Sequence, residues 1–294
     1  MIKTVIITNY RGESLTLDLA DPYSSGFAVT NIDGIGPNKA TINDVTVTTN
    51  DGSVFNSARV EPRNITMSLK FMGVDANEVE LNRQKSYRFF PLKKKLTFEV
   101  ITDERHLEIT GYTESNEPKI FSNSEGTSIS IICPYPFFHT SGAKNLVQFY
   151  GEEPAFEFPF DNEGTEPITE MGYVHMVTEA NVKYEGDPEV GILITIHALG
   201  KAKNISIFNL DTGESMRVNI EMEYGDDVVI STVKGEKYIR LLRNGMYSNI
   251  LNKIDKNADW FLLSKGDNSF AYTAEEGLRN LDFRIQNDIL YEGV

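Results

Sequence analysis

Cysteine is nearly absent from this chain of 294 residues: Cys133 stands alone. No intrachain disulfide can form, and neither a thiolate zinc site nor an iron–sulfur cluster can be assembled. Histidine is almost as scarce, and His106, His139, His175 and His197 stand singly, without the i, i+2 or i, i+4 partner that aims two imidazoles at one ion. No metal site is expected. Positive charge is in deficit, with 28 Lys plus Arg against 43 Asp plus Glu and a formal net charge of −15. Long apolar runs are missing too. The longest stretch without Asp, Glu, Lys or Arg runs from Gly126 to Ala143, and its Pro134 and Pro136 are incompatible with a membrane-spanning helix, so no membrane association is expected. The first ten residues carry only a scrap of apolar sequence and no small-residue cleavage site. The expectation is therefore synthesis in a cytosol-like compartment, without a secretory signal.

What is present is an ordinary globular composition, 40% hydrophobic and 24% charged, at a length that suits two domains. Apolar residues recur with a period of two in short segments bounded by Gly, Asn, Asp and Pro, the pattern of half-buried strands. Val45 to Thr49 runs through Asn50-Asp51-Gly52-Ser53 into Val54-Phe55, which reads as a β-hairpin. Further strands are expected at Ile65 to Phe71, Leu96 to Ile101, Leu107 to Tyr112, Ser128 to Cys133, Ile192 to Ala198, Ile205 to Leu210, Arg217 to Met222, Val228 to Val233 and Tyr238 to Arg243. Asp75 with Glu78 three positions on has capping-box spacing and predicts one surface helix from Asn77 to about Phe89, stopped by Pro91. A weaker helical turn is expected at Thr273 to Leu278. The fold class is thus mainly β in two β-rich domains, divided where Cys133-Pro134-Tyr135-Pro136-Phe137-Phe138 gives way to Thr140-Ser141-Gly142, that is 1–138 and 139–294. Charge also changes there: residues 1–133 hold 14 basic and 17 acidic side chains, residues 134–294 hold 14 and 26. The second half is a poor match for nucleic acid, because phosphate binding needs a positive field.

No group of residues reads as a catalytic, cofactor or metal site. Gly34-Ile35-Gly36-Pro37-Asn38-Lys39 looks like a phosphate-cradling loop, but Pro37 removes an amide donor and a strand follows, so a plain turn is the better reading. Ser141 with Lys144 and Ser231 with Lys234 match Ser-x-x-Lys spacing outside helices, where the two side chains face apart. Glu221, Glu223, Asp226 and Asp227 form the densest acidic cluster and read as a solvated hairpin turn rather than a paired-carboxylate acid and base. Arg83, Lys85, Arg88, Lys93, Lys94 and Lys95 place six positive charges between Glu80 and Glu99 with no acid among them. They are the candidate assembly interface, a docking surface for an acidic partner or a neighbouring copy.

The order of several segments resembles the siphovirus distal tail protein family. In the first half these are Gly34-Ile35-Gly36-Pro37, Asn50 to Arg59, Arg63-Asn64-Ile65, Arg83 to Tyr87 leading to Phe90-Pro91-Leu92-Lys93-Lys94, Gly111 to Pro118 and Ile132 to Phe138. In the second half they are Asn209 to Glu214, Thr232 to Gly235, Trp260 to Leu263 with Gly266 and Asn268, and Tyr291-Glu292-Gly293-Val294. The resemblance implies an N-terminal ring-forming β-barrel or sandwich with one α-helix, and a C-terminal β-sandwich like galectins and carbohydrate-binding modules. It implies a non-enzymatic hub without cofactors: a homo-hexameric ring at the virion's tail tip, made in the bacterial host cytoplasm. Such a ring joins the tail tube protein to the tail-associated tip protein and offers attachment points for receptor-binding proteins, while DNA passes its lumen without specific binding. A neutral or acidic lining suits that passage because it repels phosphate. The competing reading is a carbohydrate-binding, lectin-like module without catalysis.

Overall fold

The computed structural model describes residues 1–46, 51–122, 124–142, 144–154 and 172–294. The chain divides into a first unit, Met1–Ala143 with Leu290–Val294, and a second unit, Lys144–Ile289. The second unit begins at Lys144, and the last five residues belong to the first.

In the first unit the strands run in the order Ser14–Asp18, Ile2–Asn9, Lys95–Thr102, His106–Lys119, Gly126–Cys133, Arg63–Phe71 and Phe27–Asp33, with Phe138–Thr140 and Leu290–Tyr291 added beside His106–Lys119. Every pairing is antiparallel. Among the described residues the sheet ends in two edge strands and closes no barrel; of the barrel or sandwich expected, a barrel does not form there. Period-two alternation turns one face inward: Ile65, Met67, Leu69 and Phe71 join Val5, Ile7, Leu15, Leu17, Phe98, Val100, Ile129 and Ile131 in one core. Burying each such side chain contributes about 1.5–3 kcal/mol.

The helix Ala76–Phe89 begins one residue before its expected start, with the Asp75 carboxylate accepting from Glu78 N at 2.9 Å and Glu78 accepting from Val74 N at 2.8 Å. It is a surface helix: Phe89 and Phe90 are buried and Val79 packs on the core, while Leu81 and Tyr87 are exposed. A second, four-residue helix, Pro22–Ser25, ends at Gly26 in the left-handed region. Among the described residues the strands Ala40–Thr46 and Ser53–Val60 pair with each other alone, as a hairpin in a two-stranded sheet of their own. The stretch 47–50, which holds the end of the expected strand and the first residue of the expected turn, lies outside the described residues.

The second unit stacks two sheets. One has six strands, in the order Asn145–Gln148, Leu281–Asn287, Leu193–Ala198, Asp227–Ser231, Tyr238–Arg243 and Met246–Asn249; the other has four, Glu179–Tyr184, Gly266–Glu276, Ala202–Asn209 and Ser215–Met222. Tyr272 of the four-stranded sheet lies flat on Phe283 of the six-stranded one, with centroids 4.6 Å apart and planes 6° apart, and Phe149 meets both edge-on. A stack between the two sheets makes this unit a β-sandwich. The helical turn expected at Thr273 to Leu278 is corrected: Thr273 to Glu276 continue the strand, and a 3-10 turn sits at Leu278–Asn280. Gly277, at φ 74° and with Lys201 O only 2.0 Å from where a Cβ would sit, makes the break.

Candidate assembly surface

The structure divides the six basic residues of the candidate interface into two groups. Arg83 is mostly buried, reaching Glu125 at 3.4 Å and Glu80 at 3.6 Å. The Lys85 ammonium donates to Ser25 O at 2.8 Å and lies 5.5 Å from the Phe27 ring centre, and burial lowers its pKa. Arg88 forks onto Glu13, with Nε 2.9 Å from Oε2; the bonds to Arg88 and Asn9 hold the Glu13 carboxyl at about 2. These three side chains fasten the helix to its own unit. Lys93, Lys94 and Lys95 instead are exposed and make no ion pair among the described residues. They follow the bend at Pro91, where Lys93 takes a positive φ of 63°. Lys95 stands opposite Tyr112 in the strand register, and the Lys94 ammonium lies 5.5 Å from the Tyr10 ring centre. Leu92, Tyr10 and Tyr112 are all exposed around them, so the basic site is framed by apolar and aromatic surface.

A residue that composition and spacing did not single out organises the same unit. Arg63 is 1% exposed. Its guanidinium donates to four backbone carbonyls: Pro136 O at 2.6 Å, Gly34 O and Gly36 O at 2.5 Å each, and Glu292 O at 2.6 Å. The Phe138 ring lies 4.8 Å below it. Carbonyls in turns have no ladder partner, and the planar fork of arginine supplies several donors at once. Gly34-Ile35-Gly36 therefore presents C=O groups to a cation, the reverse of a phosphate loop, which presents N–H groups. Gly34 has φ 83°, and a Cβ there would sit 2.0 Å from Asn64 O; Val294 N donates to Ile35 O at 3.0 Å. Cys133 stands opposite Arg63 in the strand register, and burial pushes its thiol up to about 12.

In the second unit the acidic cluster is spread over separate tasks. Asp226 is buried, accepts from Glu223 N at 2.8 Å and is gripped by Arg243, whose Nε lies 2.9 and 3.1 Å from its two oxygens; that bond lowers its pKa. Asp227 meets His197 at 2.7 Å. Glu221 and Glu223 line a cavity of about 200 Å³ with Lys201, Lys203 and Glu276, and Glu221 pairs with Lys203 at 3.3 Å. This rim is charged rather than apolar. Of the aromatics a saccharide could stack on, Trp260 has the Lys237 ammonium 5.0 Å from its ring centre and Tyr238 has Arg240 at 4.2 Å, while Tyr224 and Tyr247 are exposed. Among the described residues no group of three or more His, Cys, Asp or Glu side chains is placed to hold a metal ion.

Residues 185–284 match the family model of the siphovirus-type tail component, C-terminal domain. Among solved structures, the chain is similar to the SPP1 Dit (gp 19.1) protein, described as a paradigm of hub adsorption apparatus in phages infecting Gram-positive bacteria. The identity is 13% over 97% of this chain and 98% of that one, with a TM-score of 0.65. It is also similar to a chain of the phage P2 baseplate in its activated conformation with Ca, at 12% identity over 100% of both chains and a TM-score of 0.49. No curated protein matches its sequence. The resemblance read from the sequence is thus met in the second unit by a tail-component family and along the chain by the fold of a phage tail hub protein.

Proposed function

We propose that this chain is a distal tail protein: a non-catalytic hub subunit that closes into a homo-hexameric ring at a phage tail tip. The ring joins the tail tube protein to the tail-associated tip protein, its second units offer attachment to receptor-binding proteins, and DNA passes the lumen without being held. The observation that carries this reading is the hub fold shared over 97% of the chain together with the tail-component match at residues 185–284. It is supported by a first unit that leaves an apolar hairpin and a basic surface uncovered, and by the surplus of acid over base, which repels phosphate.

Light scattering over a concentration series tests it. A species near six times the chain mass of 33.1 kDa, about 200 kDa for a closed cyclic oligomer, is the expected result, with rings in electron micrographs. A strict monomer at every concentration, together with binding to a glycan array, would replace the hub by the lectin-like module.

A further inference from the structure

We propose that the hairpin Ala40–Thr46 and Ser53–Val60 of one copy docks on the surface formed by Leu92, Lys93, Lys94, Lys95, Tyr10 and Tyr112 of a second copy. This rests on the self-assembly reading above and names its contact.

The register sorts the hairpin into two unlike faces. Ala40 and Ile42 stand opposite Val60 and Ala58 on one face, and a register shift between Asn43 and Asp44 brings Asp44 and Phe55 to it; Thr41 and Asn43 stand opposite Arg59 and Ser57 on the other, with Val45 beside Val54. Every residue of both strands except Thr41 is exposed, Ile42 by 65% and Phe55 by 64%, and none belongs to the core of the unit. A lone two-stranded hairpin is marginal in water, and one that bares an apolar face is stable only when something covers it.

Charge selects the cover. Asp44 stands opposite Phe55 on the apolar face and Asp51 lies at the turn, and neither makes an ion pair among the described residues. The complementary surface carries three exposed lysines, likewise without carboxylate partners among the described residues, set among Leu92, Tyr10 and Tyr112. The other basic side chains of the run are already committed, Arg83 to Glu125 and Arg88 to Glu13. Hairpin and lysine surface are both bare in the same chain, so the partner is another copy. Because the contact joins two different patches it is head-to-tail, and it forms a ring when its rotation closes.

Charge reversal on each side, followed by mixing, tests this. Asp44→Lys with Asp51→Lys sets positive against positive; Lys93→Glu, Lys94→Glu and Lys95→Glu together set negative against negative. In about 0.1 M salt, where screening acts over about 10 Å, each variant, folded by circular dichroism, is expected to need at least tenfold more protein for half-assembly by light scattering. Mixed in equal amounts the two variants regain the wild-type mass, because each arm then meets an opposite charge. Wild-type assembly with both variants assembling as wild type does overturns this contact and leaves the ring standing, as does failure of the mixture to recover. A wild type that stays monomeric overturns the ring and the contact together.

Discussion

Replacing Arg63 by Met, of similar length and without donors, isolates the four-carbonyl clamp. Hydrogen bonds to a charged donor contribute about 1.5–3 kcal/mol each, and a stranded buried acceptor costs about 1–3 kcal/mol. Against this, the replacement removes a buried guanidinium, whose desolvation costs several kcal/mol. Of the four bonds, the one to Pro136 O is wholly buried, while those to Gly34, Gly36 and Glu292 are partly so, which lets water reach their acceptors. The balance is a loss of about 3–5 kcal/mol from the first unit, a large share of the 5–15 kcal/mol that holds a domain. Lysine keeps the charge but not the fork, so Arg63→Lys should fall between, at about 2 kcal/mol.

Denaturant unfolding followed by two signals reads this out, because the single tryptophan, Trp260, lies in the second unit. Circular dichroism should show an early transition in Arg63→Met while the Trp260 fluorescence transition stays in place. Deleting residues 290–294 removes Glu292 O from the same clamp, so the deletion and Arg63→Met should be coupled by more than about 1 kcal/mol rather than additive. A first unit within about 1 kcal/mol of wild type, or strict additivity, would refute the clamp.

Gly34→Ala must accept both a left-handed φ and an approach of 2.0 Å to Asn64 O; it should destabilise the first unit by about 2–4 kcal/mol, whereas Gly12→Ala, also left-handed but in open space, should cost about 1 kcal/mol. Cys133, buried and with its thiol pushed up to about 12, should resist a thiol reagent at neutral pH and react fully in denaturant; fast labelling of the folded chain would contradict its placement. Asp226→Ala should cost about 2 kcal/mol in the Trp260 transition, less than the 3–5 kcal/mol of a fully buried pair because Arg243 is 41% exposed. Its carboxyl is held below the ordinary aspartate pKa, so the wild-type advantage over Asp226→Asn should be full above about pH 4 and fade below it. A chain in which a short glycine linker joins Ser141 to Leu290, omitting the second unit, should keep the first unit folded, since His139 already pairs with Leu290; loss of its cooperative transition would count against the division into units.

Outside the exposed hairpin, which its turn sequence announced, the expected strands were legible because one face of each is buried, which forces alternation: Ile65, Met67, Leu69 and Phe71 announce their strand without help from the rest of the chain. The same parity carried a signal for Arg63, an inward position two before Ile65 where an apolar residue belongs. Its acceptors were not legible, since Glu292 lies 229 residues away. Yet Gly34 to Gly36, Arg63, Pro136 to Phe138 and Tyr291 to Val294, far apart in the sequence, meet at this one guanidinium. The basic run was legible as charge but not as surface, because Glu13 and Glu125 reach it only through the fold. Local chemistry also trimmed edges: the strand expected to reach Val233 ends at Ser231, where the Thr232 hydroxyl bonds Ile192 N and Phe261 O, both at 2.8 Å.

The return of the last five residues to the first unit raises a question of entropy that the second unit answers. Leu290 is buried and Tyr291 and Val294 pack on the first core, yet the chain between Ala143 and Leu290 is the whole second unit. Closing so long a loop as flexible chain would add only a few kcal/mol, growing with the logarithm of its length. Even that cost falls once the second unit folds. Its outermost strand pairs Asn145 with Asn287, and Lys144 lies 3.4 Å from Asp288, so its entry and exit are held side by side. From Asn287 the chain is three residues from Leu290, and from Asn145 it is six residues back to His139, the partner of Leu290. The closure that remains is therefore that of a short hairpin rather than of a domain-length loop. Folding of the second unit pre-pays the last strand of the first, and the Arg63 clamp then needs to fix only the few residues that follow.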